Sequence, residues 1–424
     1  MSKILIIAYI ILNVITFLVY VRRTYGFFQL PALISLVSLG WVVPQLNRIY
    51  GVVDNPDTYM SLALVHMILC NLAITLGFEK GRRIPIVNCQ PTTFDMSRLK
   101  YVVLLFMILG VGSMLLNHGE YKGGEPEGEF VIIAFFGRYM DYALAIILIC
   151  FYRKLPTPKV FILALLLITA LRLDQFVLLA RRADAILFVL MLAFFYCLSH
   201  KRKQYKRMIL FILPLFLVGV YFNNFIAEYR SNAYDGETSA VENLKHIDYD
   251  KDSSEDLYGC EINNAIICIN ARFATGSYDF GLRHYNDIVY AFVPTVITGR
   301  AFKNSLMIDT GDQTLINYLS ETGATVTGYY ESFAAFSFFG CIEFLLIGLL
   351  MGWLWGRKEF YVVSMIFYIV SLVGVLEGIT HGIHLILTQI VYFAILIYPF
   401  LRFCQVNTRA AQYSLRKHKQ PQIS

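Results

Sequence analysis

The sequence predicts an all-α polytopic integral membrane protein with about eleven transmembrane helices and one large external loop. Three observations carry that reading. Of the 424 residues, 57% are hydrophobic and only 16% charged, with a mean hydropathy of +0.57, far from the balance of a soluble domain of this length. The apolar residues fall into runs near the roughly 20-residue length that spans about 30 Å of hydrocarbon as a helix. The Lys and Arg residues gather in short segments between those runs, while one long segment is acidic.

In chain order the apolar segments lie near 3–20, 26–45, 58–77, 100–117, 130–151, 160–173, 184–199, 208–226, 332–354, 361–379 and 384–402. All are expected to be helical, because an open strand in lipid leaves its backbone groups unpaired. Segment 160–173 is the shortest, so the count lies between ten and twelve. The first run follows only Lys3, shows no small-residue cleavage pattern and is followed by Arg22 and Arg23; it reads as a retained membrane helix rather than a signal peptide. The expected organisation is about eight spans in 1–226, an external loop over 227–331, about three spans in 332–403 and a tail over 404–424.

Orientation follows from the cations. Arg22/Arg23, Lys80 to Lys100, Arg153 to Lys159, Lys201 to Arg207, Arg357/Lys358 and Arg402 to Lys419 hold 22 of the 36 Lys/Arg, and the span model puts them all on one side, the cytoplasm by the positive-inside rule. Topology and anionic lipid account for the net charge of +6, so no nucleic-acid partner is implied. The segment Ala227–Glu331 is the exception, with 16 Asp/Glu against 7 Lys/Arg, and is read as non-cytoplasmic. Its part 232–256 is polar and reads as a surface excursion. From Cys260 the apolar and aromatic residues return, which suggests short interfacial helices. Asp287–Gly299, too short to span and interrupted by Pro294, is read as interfacial or re-entrant.

Cys260 and Cys268 are the two cysteines of the loop; their spacing permits a disulfide in an oxidising compartment without requiring one. Neither a CxxC nor an HxxxH pattern is present, so no metal site is expected. The loop's cations favour Arg: Arg230, Arg272, Arg283 and Arg300 against Lys245, Lys251 and Lys303. Guanidinium forks suit bidentate contact with phosphate, although each is individually read as an ion pair first. Arg181 and Arg182 stand at the external mouth of a span, either snorkelling to head groups or facing an anion. Among the acids at membrane depth, Asp141 follows Arg138 by three residues and is read as its ion-pair partner, Glu343 as bonding a neighbouring helix, and Glu377, before Thr380 and His381, as a site or a cap. His284 in GLRHYND and Glu331 in GYYESF are candidate general bases. Asp279 and Asp309 either bind sugar or solvate the loop.

The stretch DFGLRHYNDIVYAFVPTVITGRAFKNS, followed by TGYYESFAAFSFFGCIEFLLIGLLMGWLW, resembles the second large outer loop and following helix of Wzy-type polysaccharide repeat-unit polymerases. LLARRADAILFVLML resembles their Arg-bearing motif and places it on Arg182, and VLEGITHGI resembles a segment carrying a Glu, here Glu377. Together these cover roughly 170–400, and the N-terminal third matches only in hydropathy. The resemblance implies a GT-C-like glycosyltransferase acting on the periplasmic face of a bacterial inner membrane. Such an enzyme transfers a glycan from undecaprenyl diphosphate to a new lipid-linked repeat unit, in partnership with a chain-length regulator. It also implies that Glu331, His284 and Glu377, in that order, are candidates to deprotonate the attacking hydroxyl, and that Arg182, with Arg181, Arg230, Arg272 and Arg300, holds the diphosphate without a metal. Tyr285, Tyr290, Tyr329 and Tyr330 would stack on sugar faces. A lipid-linked oligosaccharide flippase and a glycan ligase remain the alternatives.

Overall fold

The computed structural model describes residues 1–86, 92–117, 136–179, 182–199, 260–310 and 327–407. The helices are α1 (Ser2–Val21), α2 (Leu30–Val52), α3 (Pro56–Arg83), α4 (Met96–Asn117), α5 (Tyr139–Tyr152), α6 (Lys159–Leu179) and α7 (Arg182–Ser199). After them come α8 (Glu261–Thr275), α9 (Leu282–Phe292), α10 (Thr295–Thr298), α11 (Arg300–Leu306), α12 (Gly328–Phe336), α13 (Cys341–Arg357), α14 (Val362–His381) and α15 (His384–Cys404). Seven stretches among the described residues are long and apolar enough to cross a membrane: α1, α2, α3, Met96–Leu116 of α4, Gly328–Arg357 formed by α12 and α13, α14 and α15. The expected span 208–226 and the acidic excursion 232–256 lie outside the described residues. Segment 160–173 belongs to a 21-residue helix, α6. A two-stranded antiparallel sheet, β1 (Thr92–Phe94) with β2 (Gln405–Asn407), was not anticipated.

Local chemistry explains the boundaries. α3 opens with Asn55, whose side chain accepts from the Thr58 amide, then Pro56 and Asp57, and closes with Lys80, Arg82 and Arg83. Cap, N-terminal proline and charges matched to the helix dipole thus all agree. α2 and α15 each contain a π-helical turn, Ser38–Val42 and Phe393–Ile397, two residues before Pro44 and Pro399. A proline inside a helix removes one amide donor and crowds the carbonyl four residues back, and the widened turn relieves that crowding.

The bundle is built around close contact between α3 and α13, which run parallel. Gly77 and Gly81 meet Gly348 and Gly352 so tightly that a Cβ added at any of the four would come within 2.1–2.2 Å of a carbonyl oxygen of the other helix. Small residues at i and i+4 let two backbones approach where lipid offers no hydrophobic drive to associate. A buried polar ladder ties this pair to α1 and α2. The Asn71 amide donates to Tyr9 (3.2 Å), Asn13 (3.1 Å) and Ser38 (3.1 Å), while Tyr329 donates to Asn71 Oδ1 (2.9 Å).

One end of the bundle is stitched by cations. Glu79 accepts from Tyr20 at 2.6 Å, from Arg23, and from Arg82 at 2.7 Å. Arg153 donates to the carbonyls of Lys358 and Glu359. At the other end α8 is anchored by Gln45, whose Oε1 accepts from the Ile262 amide at 3.1 Å, and by Tyr59, which donates to Asn263 at 2.8 Å. Here the structure decides one open alternative and corrects one reading of the sequence. Cys260 and Cys268 are free buried thiols, one capping α8 and the other eight residues along it, with burial pushing the Cys268 thiol up to about 11. Asp141 is bonded by Arg172 of α6, a neighbouring helix rather than the preceding turn.

Gly352→Leu is expected to destabilise the bundle by about 1–3 kcal/mol or more, because the added side chain meets backbone that cannot retreat. Gly51→Ala, with nothing within 4 Å of the new Cβ, is expected to be neutral to mildly stabilising. Melting midpoints of the detergent-purified variants test the pair.

Candidate functional site

At the end opposite the cation clusters, four elements bring ionisable groups together. α12 presents Tyr330 and Glu331. α9 presents Arg283, His284 and Asp287, where spacings of three and four place neighbouring turns on one face. α13 contributes Glu343. The fourth contribution is His384 at the start of α15, reached through Gly382. The turn before α9 docks on α12, with the amides of Asp279 and Phe280 donating to the carbonyls of Ala334 (3.0 Å) and Ala335 (3.1 Å). Asp279 Oδ1 accepts from the Gly281 amide at 2.8 Å, and Gly281 takes the positive φ of 83° that the turn requires.

Glu331 is 1% exposed. Its Oε1 accepts from His384 Nδ1 at 2.9 Å, and its Oε2 from the His384 amide at 3.2 Å. Arg283 Nε lies 3.9 Å from Oε1, and its guanidinium stands 5.8 Å from the centre of the Tyr330 ring. The His384 side chain is 32% exposed, so the imidazole faces outward while the carboxylate holds it from behind. Because an ionised carboxylate only accepts, Nδ1 carries the proton and Nε2 is the basic nitrogen.

A second couple lies alongside: His284 Nε2 is 3.2 Å from Glu343 Oε1. Burial disfavours a charged imidazole at His284, but the hydrogen bond and charge of Glu343, with Glu331 and Asp279 beyond, hold its pKa above the ordinary histidine value. Burial raises the Asp287 carboxyl, as does Glu331, against His384 and Arg283. Asp279 Oδ2, Arg283 Nη1, His284 Nδ1, Asp287 Oδ2 and Glu343 Oε2 are buried and make no hydrogen bond among the described residues. Since buried polar atoms are as a rule satisfied, this unspent capacity suits a polar ligand rich in hydroxyl or phosphate oxygens.

Asp287, Glu331 and His384 each bring one potential ligand atom to within 4.8 Å of the others, a grouping that could hold a metal ion. Arg283 places a positive charge beside Glu331, and His384 Nδ1 adds a neutral hydrogen-bond donor.

The structure therefore gathers Glu331, His284 and Tyr330 in one place. Arg272 is close by, buried and donating to Ser277 O (3.1 Å) and Oγ (3.2 Å). Glu377 is placed elsewhere, lining a cavity of about 120 Å³ with Arg138, Asp141, Tyr142 and Gln389. Tyr285 and Tyr290 are exposed on α9, whereas Tyr329 is buried in the polar ladder. Arg300 is exposed at the start of α11 and enters no ion pair among the described residues. Arg181 and Arg230 lie outside the described residues, and Arg182 opens α7 with its side chain likewise outside them. Sequence reasoning passed over His384, three residues after the noted His381 in THGIH, and did not separate Arg283 from the other loop arginines.

The raised pKa of His284 fixes the sign of a pH effect. Its stabilising contribution is fully present below the unfolded value near 6.5 and is lost as pH rises through the higher folded value. The melting midpoint is thus expected to fall between neutral and mildly alkaline pH, and His284→Gln to flatten that slope. Gly382 has a φ of 147°, and a Cβ there would sit 2.5 Å from His384 Nδ1 and 2.6 Å from Glu331 Oε1. Gly382→Ala is expected to cost about 1–3 kcal/mol, visible in the same midpoint.

Comparison with protein-family models, with curated proteins and with solved structures gave no match.

Proposed function

We propose that this chain is an integral-membrane glycosyltransferase that polymerises lipid-linked glycan repeat units, and that it works at the Glu331–His384 couple. The single observation that carries the reading is that couple: a buried carboxylate orients a partly exposed imidazole, with a guanidinium beside it. It is assembled from GYYES, GLRHYND and the residue after GITHGI, which belong to or adjoin the segments that resemble the repeat-unit polymerases.

The acceptor sugar's hydroxyl gives its proton to His384 Nε2 while its oxygen forms a bond to the donor's anomeric carbon. The bond from that carbon to the diphosphate oxygen breaks, and polyprenyl diphosphate leaves with the electron pair. Glu331 is a positioning residue that fixes the imidazole tautomer and stabilises the imidazolium, as a buried carboxylate does in a hydrolase triad. Arg283, with Arg272 close by, offsets the negative charge that grows on the leaving diphosphate.

Clustering of the cations at the opposite end supports a cytoplasmic placement there and a periplasmic placement of the site. Undecaprenyl-diphosphate-linked oligosaccharide is the substrate of this reading, and a chain-length regulator its protein partner. The concentration of ionisable side chains at one end favours a transferase over a flippase, whose charged residues would line a path across the membrane.

A strain lacking the gene, complemented with wild type or variants of checked expression and scored for surface polysaccharide length on a gel, tests this. Loss is expected to leave lipid core capped by one repeat unit. His384→Ala is expected to lower polymerisation by about 10²–10⁴-fold, Arg283→Lys to fail for want of the planar fork, and Arg300→Ala to keep the ladder. Bare core with accumulated lipid-linked polymer would instead identify a ligase, and bare core without polymer a flippase.

A further inference from the structure

A concavity lies at the cation end, away from the proposed site, and no part of the proposed chemistry uses it. It is a groove of about 630 Å³ between the start of α4 and the end of α15, within the range of small-molecule and lipid-sized pockets, about 300–1,000 Å³. Arg98 and Lys100 stand at its head, and Tyr101, Leu105, Phe400 and Phe403 form its walls.

The groove is held open by backbone. β1 and β2 pair directly above it, the Asp95 amide donates to the Cys404 carbonyl at 2.8 Å, and Arg98 Nη1 donates to the Phe403 carbonyl at 3.2 Å. These bonds fix the start of α4 against the end of α15 and leave the cleft between the two spans open below them. Tyr101, Leu105 and Phe403 are exposed along it, on two helices long and apolar enough to cross a membrane, so the walls face hydrocarbon.

Charge sorts along the groove. Arg98 stands over the Phe403 ring at 5.0 Å and Lys100 over the Tyr101 ring at 4.7 Å, so both cations are tethered to its walls at one end. Asp95 offsets part of the Arg98 charge at 3.3 Å, whereas Lys100 enters no ion pair among the described residues. An apolar trough with a cationic head, set where a span meets water, complements a molecule with acyl chains and an anionic head group; basic pockets between membrane helices recognise such lipids. A soluble phosphate would leave the apolar walls unused, and a zwitterionic lipid would gain little from the second cation.

We propose that this groove is a binding site for an anionic phospholipid, its phosphate at Arg98 and Lys100 and its acyl chains along Tyr101, Leu105 and Phe400. The site is independent of the transferase reading, because its test reads lipid retention alone.

Purified full-length protein is delipidated in detergent, given dioleoylphosphatidylglycerol or dioleoylphosphatidylcholine, and examined by native mass spectrometry. Retention of one phosphatidylglycerol in preference to phosphatidylcholine is expected, weakened roughly fivefold for each cation removed in Lys100→Gln and Arg98→Gln. Leu105→Trp, which fills the trough and leaves the charges in place, is expected to reduce retention as well. Equal retention of the two lipids, or phosphatidylglycerol retention unchanged in the double charge variant and in Leu105→Trp, would overturn the proposal.

Discussion

Everything at the candidate site depends on how closely α3 and α13 approach. Their paired glycines bring backbone against backbone, which replaces a hydrophobic drive that does not exist between helices in lipid. α12 leads directly into α13 through a short 3-10 turn, Ser337–Gly340, where Gly340 faces the Ser332 carbonyl at a distance no Cβ permits. The register of α13 on α3 therefore fixes α12. His66 of α3 then meets Ser332 of α12 at 3.0 Å, and Glu331 is carried to its position one residue earlier. The approach of Gly328 to the Gly378 carbonyl does the same for α14, whose end delivers Gly382 and His384.

Burying a carboxylate costs several kcal/mol unless partners replace its hydration. At Glu331 the replacement is nearly complete: two bonds from His384 and a guanidinium behind it. The consequence is a division of labour. The carboxylate is inaccessible, and the group able to touch a ligand is the imidazole it holds. The same geometry makes the site intolerant of bulk at Gly382, whose missing Cβ is the space the couple occupies.

Charge is segregated along the bundle. At the cation end Glu79 collects Tyr20, Arg23 and Arg82, and backbone carbonyls take Arg153 and Arg357. The opposite end concentrates acids and histidines whose hydrogen-bonding capacity is not spent within the described residues. The bundle is thus stitched by ion pairs and carbonyl contacts at one end and carries a cluster of ionisable side chains at the other.

The sequence by itself determined the class of the molecule, because hydropathy and helix length are set by the thickness of hydrocarbon and need no partner. It determined the helices of most expected segments and singled out Glu331 and the RHYND stretch as candidates, since ionisable residues beside apolar runs are legible one at a time. What only the tertiary structure decided is who meets whom. Asp141 meets Arg172 across 31 positions and Glu331 meets His384 across 53, whereas Glu377, though close in sequence to His384, faces Arg138 and Asp141 instead. Cys260 and Cys268 share a helix as free thiols. No local pattern encodes the Glu331–His384 meeting, because it depends on how α12, α13 and α14 seat against their neighbours through the close approaches of Gly348, Gly352, Gly340 and Gly328, and register is a property of two surfaces in contact.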